Sequence, residues 1–133
     1  MSILTCIEKL QETNKPLARK AIVYNEYKNN RHFRELLYLI YGEVKIPEVS
    51  KFPKFKKTEV PLGLDFSNLE KQLGKVKAAL FSEGLSEERR KNLLIQIAGT
   101  ISEQELDAVK AIMNKKWKYF SYEKYLELTN ATV

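Results

Sequence analysis

Apolar residues recur three and four positions apart along most of this 133-residue chain, and nowhere do they alternate with period two over the length of a strand. Such spacing places apolar side chains on one face of a helix. The turn signals fall between these segments. Ser2 is positioned to cap a helix carrying Ile3, Ile7 and Leu10, and the TNKP sequence resets the chain so that Pro16 enters the first turn of a second helix. That helix, Pro16 to Lys28, is expected to bury Leu17, Ala21, Tyr24 and Tyr27. A third, His32 to Tyr41, places Phe33, Leu36, Leu37, Ile40 and Tyr41 over a wide arc and stops at Gly42.

The second half reads the same way. Asp65 or Ser67 is expected to cap a helix with Leu69, Leu73, Val76 and Leu80, and Gly84 to end it. Ser86 starts the next helix, with Leu93, Leu94, Ile97 and Ala98 toward its end and Gly99 as its close. The clearest start is SEQE at Ser102 to Glu105, a capping box followed by Leu106, Val109, Ile112 and Met113 on one face. A short helix is expected from Ser121 to Leu128. No repeat and no low-complexity segment interrupts the series. The reading is an all-α fold: one compact domain over residues 1–133, of six or seven helices, with a basic aromatic loop over 43–64.

That loop is the chain's most unusual stretch. Lys45 to Lys57 reads KIPEVSKFPKFKK, with five lysines, two phenylalanines and two prolines against the single acid Glu48. Pro47 and Pro53 remove amide donors and favour extended geometry before them, which predicts a loop. Its lysines can meet phosphates and its rings a sugar or base; equally, the rings can fold back onto the core and leave the lysines as solvated charge. A second basic and aromatic cluster, NKKWKYF at Asn114 to Phe120, follows the capped helix. There Lys115, Lys116 and Lys118 complement the helix dipole without any ligand, and Trp117 can plug the core. Arg19 and Lys20 form a third.

Composition supports a polyanionic partner. The formal net charge is +6, the isoelectric point is near 9.3 and 44% of residues are hydrophobic, enough for one core. Cys6 is the only cysteine and His32 the only histidine, which excludes an internal disulfide and a Cys/His zinc cluster and fits a reducing, cytoplasmic setting. No window is apolar enough for a membrane span. Catalytic patterns are missing: no Gly-rich phosphate loop, no GxSxG, no HExxH. The acidic pairs Glu87 with Glu88 and Glu103 with Glu105 lie in first turns of helices, where negative charge is stabilised. Cys6 shares a face with Ile3 and Leu10, and His32 begins a helix. The expectation is a protein with no enzymatic activity, cofactor or metal.

The run FRELLYLIYGEVKIPEVSKFPKFKK, a Leu/Tyr-rich helix leading to Tyr41 and then a loop around Lys51, Phe52, Pro53 and Lys54, resembles the N-terminal DNA-binding domain of bacteriophage-type ATP-dependent DNA ligases. The segments SNLEKQLGKVKAAL, RRKNLLIQIAG and ELDAVKAIMNKKW are similar in outline to later helices of that domain, so the resemblance spans roughly Asn29 to Trp117. It implies a small helical domain that grips duplex DNA across the minor groove through the sugar-phosphate backbone, and it fits a phage or other mobile element. Two departures matter. No K-x-D-G tetrapeptide is present, so the chain is not expected to ligate by itself. KYFSYEKYLELTNATV replaces the glycine-containing turn of the ligases, which puts their C-terminal DNA contacts in doubt.

The sequence therefore predicts binding to double-stranded DNA, intact or nicked. Expected contacts are Lys51, Phe52, Lys54, Phe55, Lys56 and Lys57 on the loop, with Arg19, Lys20, Lys115, Lys116 and Lys118. The alternative is a small helical adaptor or inhibitor whose Tyr119, Tyr122 and Tyr125 form an interface for an acidic protein.

Overall fold

A computed structural model describes residues 2–49, 51–54 and 68–131 of the chain. Among the described residues it contains seven helices: α1 (Ile3–Glu12), α2 (Pro16–Asn29), α3 (Arg31–Leu37), α4 (Leu69–Phe81), α5 (Glu87–Thr100), α6 (Glu103–Asn114) and α7 (Tyr122–Ala131). The α3 helix runs on into a π-helical turn, Tyr38–Gly42. The fold is all-α, and none of the described helices is long and apolar enough to cross a membrane.

Caps set most of the boundaries. Ser2, Ser86 and Ser102 each accept a hydrogen bond from the amide three residues on, and the Ser102–Glu105 box is complete, with the Glu105 carboxylate accepting from the Ser102 amide. The α4 cap is Asn68, whose side chain accepts from Lys71 N; Asp65 and Ser67 lie outside the described residues. Asn30, which the sequence reading passed over, accepts from the amides of His32 and Phe33 and so starts α3 one residue before His32. Gly99 does not close α5, which continues to Thr100.

One hydrophobic cluster unites the helices. Ile3, Ile7 and Leu10 of α1 meet Leu69, Leu73 and Val76 of α4 and Val109 and Ile112 of α6 within it, and Phe33, Leu36, Leu37 and Ile40 are buried as expected. Each such side chain contributes about 1.5–3 kcal/mol by leaving water. The expected face of α2 was half right: Tyr24 and Tyr27 pack, partly buried, against the core, whereas Leu17 is 82% exposed, Ala21 is exposed, and the fully buried positions are Val23 and Glu26. Glu26 fits inside because it has a partner. Its Oε2 accepts from the Cys6 thiol at 3.2 Å, and Asn30, buried beside it, points its amide nitrogen toward the same sulfur at 3.9 Å. Burial, followed by the hydrogen bond to Glu26, pushes the Cys6 thiol up to about 12. The thiol is thus a protonated core donor, with its nucleophilic form suppressed.

The π turn follows from local packing. Glu43 N reaches back five residues to Tyr38 O, and a Cβ on Gly42 would meet the Tyr38 ring at 2.5 Å and the Tyr125 hydroxyl at 2.7 Å. Only glycine lets both tyrosines approach.

Candidate nucleic-acid interface

The α6 helix ends in a Schellman motif: Lys116 N bonds Ala111 O, Lys115 N bonds Ile112 O, and Lys115 adopts φ +56°. A left-handed residue without glycine costs free energy, and here the side chain offsets it. Lys115 Nζ donates to Leu39 O at 2.9 Å and Glu43 O at 3.0 Å, fastening the junction after α6 to the π turn. Desolvation lowers the pKa of this ammonium, with the charge of Glu43 acting in the opposite direction. Lys115 is therefore committed largely to the fold, although it still lines the groove described below.

Tyr41 holds the other end of the junction. Its hydroxyl accepts from Trp117 N at 2.9 Å and donates to Phe120 O, and burial raises its pKa. Trp117 is buried against Phe33 and Tyr119, with ring centroids 6.2 and 5.3 Å away. With the backbone held on both sides, Lys116 and Lys118 project outward and are exposed.

These two lysines form the centre of a longer band of positive charge. Lys116, Trp117 and Lys118 line a groove of about 550 Å³ together with Arg19 and Lys124. The same three residues also line a smaller recess of about 240 Å³, which they share with Lys110, Asn114 and Asp107. Lys110 and Asn114 in turn border a hollow of about 270 Å³ that reaches Lys51 and Phe52. Three adjoining concavities are therefore lined by Lys51, Lys110, Lys116, Lys118, Lys124 and Arg19, against the single carboxylate Asp107. Ammonium and guanidinium groups spaced along a concave track can neutralise successive phosphates.

The sequence-derived candidates divide accordingly. Arg19 joins the band, with its guanidinium 5.6 Å from the Tyr119 ring and its Nε donating to Thr13 O at 2.5 Å. Lys20 lines none of the three concavities and is paired with Glu127 at 3.3 Å and set over the Tyr24 ring. The hydrogen bond to Glu127, foremost, raises its pKa. Phe52 is half-buried against the core and lies 5.8 Å from Lys110 Nζ, so this ring does turn inward, but it does so beside a cation of the band. Lys54 is exposed; Phe55, Lys56 and Lys57 lie outside the described residues. Lys110 and Lys124 were missed. The α6 positions Glu103, Asp107, Lys110 and Asn114 form an exposed stripe at helical spacing, a signal present in the sequence. Only packing shows that this stripe runs into Lys116.

Elsewhere, Lys51 also borders a recess of about 380 Å³ of mixed charge, lined by Glu48, Glu87, Lys91 and Arg90. Arg90 is structural there: buried, it donates to Ala79 O and Ser82 O at the end of α4. Among the described residues no group of three His, Cys, Asp or Glu is placed to hold a metal ion. Comparison of the chain with protein-family models, with curated proteins and with solved structures finds no match.

Proposed function

We propose that this chain is a non-enzymatic protein that binds double-stranded DNA, intact or nicked, through backbone contacts with little sequence preference. The observation that carries this reading is the continuous concave band of Lys51, Lys110, Lys116, Lys118, Lys124 and Arg19 with one opposing acid. The resemblance of Asn29 to Trp117 to the DNA-binding domain of phage-type ligases supports it from the sequence side. The reading includes a ligase-type helical domain separated from any nucleotidyltransferase, working in a reducing cytoplasm. Bound there, it masks DNA from a nuclease or recruits a replication or repair partner.

The adaptor alternative is weaker. Tyr125, one of its three proposed interface rings, is buried against Tyr41, and Tyr119 is half-buried between Trp117 and Arg19, which leaves Tyr122 as the exposed one.

The test is fluorescence anisotropy with intact, nicked and single-stranded DNA across a salt series. Each phosphate neutralised contributes about −0.9 to the slope of log affinity against log salt. The triple variant Lys110→Ala, Lys116→Ala, Lys118→Ala is expected to flatten that slope by two to three phosphate equivalents, that is by roughly 2–3. An unchanged slope, or no duplex binding even at low salt, would overturn the assignment.

A further inference from the structure

Tyr122 is the aromatic side chain that the largest basic groove leaves uncovered: it is 53% exposed, whereas Trp117 and Phe120 are buried and Tyr41 and Tyr119 half-buried in the same wall. One exposed tyrosine is ordinary on a protein surface. The surroundings of this one are not. It lines the groove with Arg19, Lys115, Lys116, Lys118 and Lys124, and among the described residues no carboxylate lines it with them. Its position is fixed from two sides. The Ser121 hydroxyl accepts from Lys124 N at 3.3 Å and Ser121 O accepts from Tyr125 N at 3.0 Å, which starts α7 at Tyr122. The Tyr41 ring, itself held through its hydroxyl by Trp117 and Phe120, lies 6.2 Å from the Tyr122 ring at 49°. By contrast, Tyr119 is already taken up by cations, with Lys118 at 5.1 Å and Arg19 at 5.6 Å from its centroid. Tyr122 is thus the ring of this groove with half its surface open to a ligand.

At about 550 Å³ the groove falls within the size range of small-ligand sites, about 300–1,000 Å³, which suits a single nucleotide and not a stretch of duplex. Paired bases keep their faces inside the stack, whereas an unpaired base has a face to offer. Resting on the DNA-binding reading, we propose that the groove takes an unpaired nucleotide, its base stacked on Tyr122 and its phosphates met by Lys116, Lys118, Lys124 and Arg19. The preferred ligand is then duplex DNA that continues into a single-stranded tail. The duplex lies along the rest of the band, toward Lys110 and Lys51, and the tail enters the groove. Every base has a π face, so stacking adds affinity without reading sequence. An acidic peptide would meet the same cations, but its carboxylates gain nothing from an open ring face, which a base covers.

The experiment uses the full chain with Tyr122→Ala and Tyr122→Phe, and labelled duplexes that are blunt, carry a short thymidine tail, or carry a tail of abasic units. The two tails have the same phosphates and differ only in their bases, so wild-type protein alone already tests the proposal. It is expected to bind the thymidine tail about tenfold more tightly than the abasic one. Tyr122→Phe keeps the ring and is expected to keep that preference. Tyr122→Ala is expected to bind both tails equally and to bind blunt duplex as wild type does, because the phosphate contacts remain. Blunt-duplex binding with the expected salt slope, but equal binding of the two tails in either polarity, would overturn the stacking site and leave the DNA-binding reading standing. A Tyr122→Ala variant that still prefers the thymidine tail would do the same. Tyr122-dependent binding of tailed DNA without binding of blunt duplex would keep the stacking site and end the duplex reading. No binding to any of the three at low salt would end both. Tyr122-dependent binding of polyglutamate, with no preference between the tails, would make the groove a protein contact and overturn the proposal.

Discussion

The junction between α6 and α7 and the loop after the π turn both carry lysines and aromatic rings, yet the fold treats them differently. At the junction, Trp117 is buried, the Tyr41 hydroxyl holds the Trp117 amide and the Phe120 carbonyl, and Lys115 ties the turn to Leu39 and Glu43. Among its described residues, the loop over 43–54 is anchored more sparsely: Glu43 N on Tyr38 O, Glu43 O on Lys115 Nζ, Glu48 N on Leu80 O, and the half-buried Val49 and Phe52. One region presents its cations from a clamped backbone and the other from a tethered one. Preorganised charge loses less conformational freedom on binding, so Lys116 and Lys118 are expected to contribute more affinity each than Lys51 or Lys54.

The largest expected effects lie at the buried anchors. Trp117→Ala removes the ring packed on Phe33 and is expected to cost about 3–5 kcal/mol, the range for a buried aromatic truncated to alanine. The matching change in the loop, Phe52→Ala, is expected to cost about 1 kcal/mol, since that ring is only half-buried. Urea unfolding of both variants measures the contrast, and equal losses would abolish the distinction between the regions. Next comes Tyr41→Phe. It keeps the ring among Tyr122 and Tyr125 but strands the Trp117 amide and the Phe120 carbonyl, for an expected loss of about 2 kcal/mol. If the proposed DNA binding holds, weaker binding at an unchanged salt slope is expected alongside, because the same phosphates would be met by less well-aimed lysines.

The contrast also explains what could be read from the sequence. Helices with a serine cap and a clean apolar stripe, α1 and α6 above all, were legible because local propensity and burial agree there. The face of α2 was legible only in part: Tyr24 and Tyr27 do pack against the core, but Leu17 and Ala21 do not. Its buried positions include Glu26, whose inward orientation depends on Cys6 twenty residues earlier, and no periodicity of apolar residues can report a polar partner supplied by another helix. The π turn was marked by Gly42 but not identifiable as one, since its reason is the approach of Tyr125 from the far end of the chain. Of the band, Lys51, Arg19, Lys116 and Lys118 were expected; Lys110 and Lys124 became candidates only once packing set the facing of α6 and brought α7 beside α2. Lys20 resembled Arg19 in sequence, but the Glu127 that pairs with it lies on α7.

The finest test separates two adjacent lysines. Lys116 is exposed and, on the proposed DNA-binding reading, meets a phosphate, so Lys116→Ala is expected to change stability by no more than about 0.5 kcal/mol while flattening the salt slope by about 0.9. Lys115 carries two opposing contributions, a left-handed backbone that glycine would relieve and an ammonium bonded to two carbonyls that glycine would remove. Lys115→Ala keeps the backbone cost and loses the bonds, for an expected destabilisation of about 1 kcal/mol. Lys115→Gly loses the bonds but gains roughly the same amount from the relieved backbone, so its stability is expected to match wild type. A glycine variant about 1 kcal/mol more stable than wild type would mean that the Nζ bonds contribute nothing and that Tyr41 alone clamps the junction. A glycine variant as weak as the alanine one would mean that the left-handed turn carries little strain, and that the ammonium, not the backbone, sets where Lys116 and Lys118 point.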